Sequence, residues 1–84
     1  MTRYAVTFGE GDRITIPAAT PSLELALEVA YLVASHLGAV GKPDLAGWEV
    51  HLWRYADAEM ADVTAHFGPQ LLASLTQVRP VDAG

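Results

Sequence analysis

Residues 20–38 read TPSLELALEVAYLVASHLG, Thr20 to Gly38, the longest periodic segment of the chain. Thr20-Pro21 predicts a helix start. A Thr hydroxyl can accept from an orphan backbone N–H, and Pro lacks the N–H that would go unused at the first helical position. Gly38 predicts the stop, since glycine takes the left-handed conformation past the last turn. Leu23, Ala26, Leu27, Ala30, Val33, Ala34 and Leu37 fall on one face at helical spacing. Ala26, Ala30 and Ala34 lie one turn apart and make that face smooth enough for close approach to a sheet. Glu24, Glu28 and Ser35 mark the wet face, with Tyr31 at its margin, and Glu24 also complements the helix dipole. Leu25, Leu32 and His36 form a second stripe, which calls for a further partner. The segment is too interrupted by Glu, Ser and His to span a bilayer.

On the N-terminal side, Tyr4, Val6 and Phe8 alternate with Ala5 and Thr7, the pattern of a half-buried strand. Residues 9–12, Gly-Glu-Gly-Asp, read as a turn. Ile14 and Ile16 alternate with Arg13 and Thr15 in a second strand that ends at Pro17, so residues 4–16 form a β-hairpin. No lysine follows the glycine-bearing turn and no helix begins there, which excludes a phosphate loop.

On the C-terminal side, residues 39–47 carry Gly41, Pro43 and Gly47 and read as a surface loop. Trp48 to Tyr55 reads as a third strand. With Val50 and Leu52 against the helix, His51, Trp53 and Tyr55 lie on the far face of the sheet, beside Ala5, Thr7 and Thr15. On the near face, Leu27 and Ala30 are expected between Val6, Ile14 and Val50. Asp57 reads as the cap of a second helix over residues 57–67, with Glu59 in its first turn and Met60, Val63 and Phe67 as its apolar stripe. Gly68-Pro69 breaks that helix. Leu71, Leu72, Leu75 and Val78 then predict another short helix to about residue 78, and residues 79–84 a loose tail.

The predicted architecture is α+β, a single two-layer β-β-α-β-α domain over residues 1–78. Its three-stranded antiparallel sheet has order 2-1-3 and carries one main helix. The alternative makes residues 75–81 a strand between the first and third strands, in a β-grasp arrangement that resembles ubiquitin-like proteins.

Eighty-four residues make one domain with a modest core. A hydrophobic fraction of 51% suits a folded globule and argues against disorder. No cysteine is present, so disulfides and thiolate metal sites are excluded. The N-terminal stretch lacks a signal-peptide pattern, which favours a cytoplasmic location. The net charge is −5, and Arg3, Arg13, Lys42, Arg54 and Arg79 form no basic run, so the balance speaks against nucleic acid. Fourteen alanines, with four Arg against one Lys, indicate a GC-rich genome. That composition and the small size resemble uncharacterised small proteins of actinobacteria and their phages.

Three groups of residues are candidates for function. His51, Trp53, Arg54 and Tyr55 combine residue types that are enriched at binding hot spots, because they bury large areas with few rotatable bonds. With Leu25 and Leu32 of the helix they predict an interface with another protein chain, either a second copy in a homodimer or larger homo-oligomer, or a partner or host protein that this one modulates. The plain alternative is that Trp53 and Tyr55 are core. Asp62 and His66 would lie one helical turn apart, with Glu59 a turn before, an arrangement for acid–base or metal chemistry in a small enzyme. The histidines match no metal-ligand spacing, and no nucleophile elbow or nucleotide fingerprint is present. The sequence therefore assigns no catalytic residue, metal or cofactor. Aromatics on a sheet face can also stack bases, which makes single-stranded nucleic acid a third candidate partner.

Overall fold

The computed structural model describes residues 1–38 and 47–76. The expected loop over 39–47, except Gly47, and the expected tail over 79–84 lie outside them, as do the predicted helix end at Val78 and most of the alternative strand over 75–81. The elements are β1 (Thr2–Glu10), β2 (Arg13–Thr15), α1 (Leu23–Leu37), β3 (Glu49–Ala56), β4 (Glu59–Asp62) and α2 (Gly68–Thr76). One antiparallel sheet has the order β2-β1-β3-β4. The chain is thus α+β, with the expected 2-1-3 core of the sheet and a fourth strand added at its edge.

The centre of the sheet is the β1–β3 ladder, paired from Thr2 opposite Ala56 to Gly9 opposite Glu49. This direct pairing leaves no slot for a strand between them, and Leu75 and Thr76 are helical, so the β-grasp alternative is overturned. Val6 sits opposite Leu52 and Phe8 opposite Val50, so these side chains share one face. Ala26, Ala30 and Ala34 of α1 are buried in the same core, as their spacing predicts. Leu27 is half-buried against it. α2 packs beside α1, where the Ser74 hydroxyl donates to the Leu27 carbonyl at 3.5 Å and Leu71 and Leu75 close the core. Tyr31, expected at the wet margin, is only 3% exposed.

The helix start differs from the expectation. The cap is Ser22, whose hydroxyl accepts from Leu25 N–H at 3.1 Å. Thr20 cannot serve because its backbone is held as a β-bridge: Tyr4 N–H donates to the Thr20 carbonyl at 2.7 Å, and Thr20 N–H donates to the Tyr4 carbonyl at 2.8 Å. Gly38 ends the helix as predicted, in the left-handed region with φ 77°.

The hairpin register also differs. The turn is the two residues Gly11-Asp12, with Gly11 at φ 62°, and β1 continues through Glu10. This pairs Phe8 with Thr15 and Gly9 with Ile14. Ile14 and Ile16 therefore lie on the face away from the helices, 70% and 68% exposed, and Thr15 lies on the helix side. The expected burial of Ile14 near Leu27 is overturned: Ile14 pairs with Gly9, on the face of Ala5 and Thr7, and a four-residue turn would likewise have set it opposite Thr7, since a shift of two residues keeps the face.

The largest departure is at residues 57–67. No helix forms there; a second hairpin does. Asp57 takes φ 54°, a left-handed conformation that aspartate tolerates, and the chain turns back into β4 along β3. At the end of β4 the ladder hands over to a helical turn. Val63 N–H donates to the Leu52 carbonyl at 2.9 Å, but the Val63 carbonyl accepts from Phe67 N–H at 3.1 Å. Leu52 N–H donates instead to the Thr64 hydroxyl at 2.8 Å, which stands in for the missing ladder carbonyl. Gly68-Pro69 then opens α2 rather than breaking a helix, since proline suits a first turn.

Leu52 has no solvent exposure and lies at the centre of this core. Leu52→Ala is expected to cost roughly 2–5 kcal/mol in chemical denaturation. A loss under about 0.5 kcal/mol, the range of surface changes, would contradict the assigned face.

Candidate functional site

Both helices pack on the face that carries Val6, Phe8 and Leu52. The opposite face has no second layer among the described residues. It carries Thr7 of β1, Ile14 of β2, His51, Trp53 and Tyr55 of β3, and Met60 of β4. Together with Ile16 they line an open groove of about 310 Å³. Strand alternation in Trp48–Tyr55 predicts this placement of His51, Trp53 and Tyr55, and the ladder registers produce it.

The aromatic side chains are held in place by polar contacts. Trp53 Nε1–H donates to the Thr7 hydroxyl at 3.0 Å across the β1–β3 ladder. The Trp53 and His51 rings lie 5.9 Å apart at a 35° tilt. Ala5, directly opposite Trp53, is only 3% exposed although no helix covers it. The result is a fixed aromatic platform rather than a set of loose side chains.

Arg54 is placed differently. It pairs with Tyr4 and Ala61 and is exposed on the helix side of the sheet, so it does not share the face of Trp53 and Tyr55. Leu25 and Leu32 are 51% and 63% exposed on α1, on the other side of the molecule from the groove. The predicted residues therefore form two separate surfaces.

The structure adds Ile14, Ile16 and Met60 to the sheet-face group. Their sequence signal is pairing parity. Either a two- or a four-residue first turn puts Ile14 and Ile16 on the face of Thr7 and Gly9, and the two-residue turn at Asp57-Ala58 adds Met60, which a helix after Asp57 does not.

Glu59, Asp62 and His66 are not brought together. In β4, Glu59 and Asp62 point to opposite faces of the sheet, because they are three residues apart in a strand. His66 stacks edge-on against Phe67 with centroids 4.6 Å apart. Asp62 pairs with His51 instead, Oδ2 to Nδ1 at 3.0 Å. Its other oxygen accepts from the Thr64 hydroxyl and from Thr64 N–H at 2.9 Å. Among the described residues, no group of three His, Cys, Asp or Glu could hold a metal ion. No described helix is long and apolar enough to cross a membrane.

A second groove, of about 290 Å³, lies on the helix side between Phe8, Arg13, Thr15, His36 and Trp48, and is more polar. Trp48 Nε1 is buried there without a hydrogen-bond partner among the described residues. Comparison of the chain with protein-family models, with curated proteins and with solved structures gives no match. Function is therefore read from the two surfaces themselves.

The Asp62 carboxyl is held below its ordinary value of 3.8, first by the hydrogen bonds from the Thr64 hydroxyl and backbone N–H, then by His51. A carboxyl depressed in the folded state stabilises the fold above its ordinary value, and that stability is lost as pH falls through the folded value. An NMR titration should place the Asp62 midpoint below 3.8. Thr64→Val should move it upward. It should also lower stability by about 1–3 kcal/mol, because Leu52 N–H loses its acceptor. An unchanged midpoint in the variant would contradict the assigned cause.

Proposed function

We propose that this protein is a small protein-interaction module whose working surface is the open face of its sheet. The observation that carries the reading is the apolar rim of the aromatic groove: Ile14, Ile16 and Met60 are 70%, 68% and 60% exposed around His51, Trp53 and Tyr55. Large apolar side chains clustered on a sheet with no second layer are a liability in a lone chain and an asset in a complex. Trp53, braced by Thr7, has the rigidity expected of a central anchor.

The reading as a single-strand binder has less support. Among the described residues, Arg3 is the only Arg or Lys on this face by strand alternation, since Arg13 and Arg54 belong to the helix side, and Glu49 and Asp62 share the face. Base stacking alone, without a cationic track for the phosphates, does not make such a groove. The reading as an enzyme or metal protein on Glu59, Asp62 and His66 loses its geometric premise with the helix.

The two apolar surfaces can be separated by mutation. Ile16→Asp and Met60→Asp should each weaken the protein's association about tenfold or more in sedimentation, with unchanged circular dichroism, because both side chains are already solvent-exposed in the protomer. Leu32→Asp should leave association unchanged. The reverse pattern would move the contact surface to Leu25 and Leu32 of α1.

A further inference from the structure

The open face has opposite charges at its two ends. Arg3 stands on β1 opposite Tyr55, and Glu49 stands on β3 opposite Gly9. Both belong to the open face by strand alternation, and they lie about 20 Å apart along the strands, six residues of ladder. Neither has an ion-pair partner among the described residues. Near the Arg3 end the N-terminal amine and Asp57 pair with each other at 3.1 Å, and Glu59 belongs to the helix side of the sheet. Between the two ends the face is mostly aromatic and aliphatic, apart from the His51–Asp62 pair.

Resting on the reading of this face as an interface, we infer that its occupant is a second copy of this chain, stacked face to face about a two-fold axis that runs across the strands. Two such stackings keep the strands of the two sheets aligned. An axis along the strands puts like ends together, Arg3 near Arg3 and Glu49 near Glu49. An axis across the strands reverses the strand direction and sets Arg3 of each protomer over Gly9 of its partner, diagonally beside the Glu49 that pairs with that glycine, so symmetry makes the attraction twice. Charge complementarity selects the second. The same register places the Trp53 indole of one chain over the His51 ring of the other, because these residues sit at matching steps on either side of the centre. The two sheets then form a closed β-sandwich about 10 Å thick, with both apolar faces inside. Four strands by about 20 Å outline at most roughly 400 Å² on each chain, about 800 Å² in total and below the size of stable interfaces, so the dimer is weak and concentration-dependent rather than obligate.

A charge swap tests this arrangement. Arg3→Glu and Glu49→Arg should each raise the dimer dissociation constant about tenfold in sedimentation equilibrium at low salt. Each reversal turns two attractions into two repulsions. The double variant, Arg3→Glu with Glu49→Arg, should return to within about threefold of the original. Single reversals without effect, or a double variant weaker than either single one, would overturn the register. If Ile16→Asp still dissociated the dimer, the face would stand as the interface with another geometry. A chain that stays monomeric at millimolar concentration would overturn the second copy as occupant.

Discussion

The antiparallel ladder between β1 and β3 is the constraint on which the other features depend. Its pairs run from Thr2–Ala56 to Gly9–Glu49 and join segments separated by the whole of α1. Once Val6 is opposite Leu52, parity decides every neighbour. Phe8 and Val50 go to the helices; Ala5, Thr7, His51, Trp53 and Tyr55 go to the other side. The helices add a second layer on one face only. α1 can approach closely because its contact row is alanine, and α2 closes the same core with Leu71 and Leu75. Among the described residues, the domain is well packed on one side of its sheet and uncovered on the other.

Much of this was legible in residue patterns. Alternation in Tyr4–Phe8 and Trp48–Tyr55 is strict, and a fifteen-residue helix with a terminal glycine leaves little choice of element. The edge strands were less legible. Three residues, Met60, Val63 and Phe67, match helical spacing by coincidence, and Asp57 with Glu59 imitates a cap. The β3–β4 turn carries no glycine; Asp57 itself takes the left-handed conformation, which its side chain tolerates. A strand that owes its existence to pairing with a neighbour leaves a weak local signal. The register of β2 hung on whether two or four residues make the turn, but either count puts Ile14 and Ile16 on the face of Thr7 and Gly9; an expected place for Ile14 beside Val6 does not respect that parity. The role of Thr64, whose hydroxyl replaces a backbone acceptor, has no sequence signature, because it arises only when Val63 gives its carbonyl to a helical turn.

The same features explain why the candidate site separated into parts. The aromatic trio of β3 was readable because it depends only on period two. Of its aliphatic rim, Ile14 and Ile16 follow from the parity of the first hairpin, but Met60 depends on the second hairpin, whose local signal is weak. The acid–base trio required a helix and dissolved when that segment became a strand, leaving Asp62 to pair with His51 and Thr64 beside the groove. What emerges is a face assembled from all four strands, rigid in its aromatic centre and charged with opposite sign at its ends.

Whether a protein chain covers this face can be read from contacts between molecules. A sample mixed from isotope-labelled and unlabelled protein, examined by isotope-filtered NOE at high concentration, reports only intermolecular proximity. Contacts should run from the Trp53 indole of one molecule to the His51 ring and other open-face side chains of the next. Intermolecular contacts confined to Leu25 and Leu32 of α1, with none to Trp53, would contradict the assignment of the sheet face as the interface.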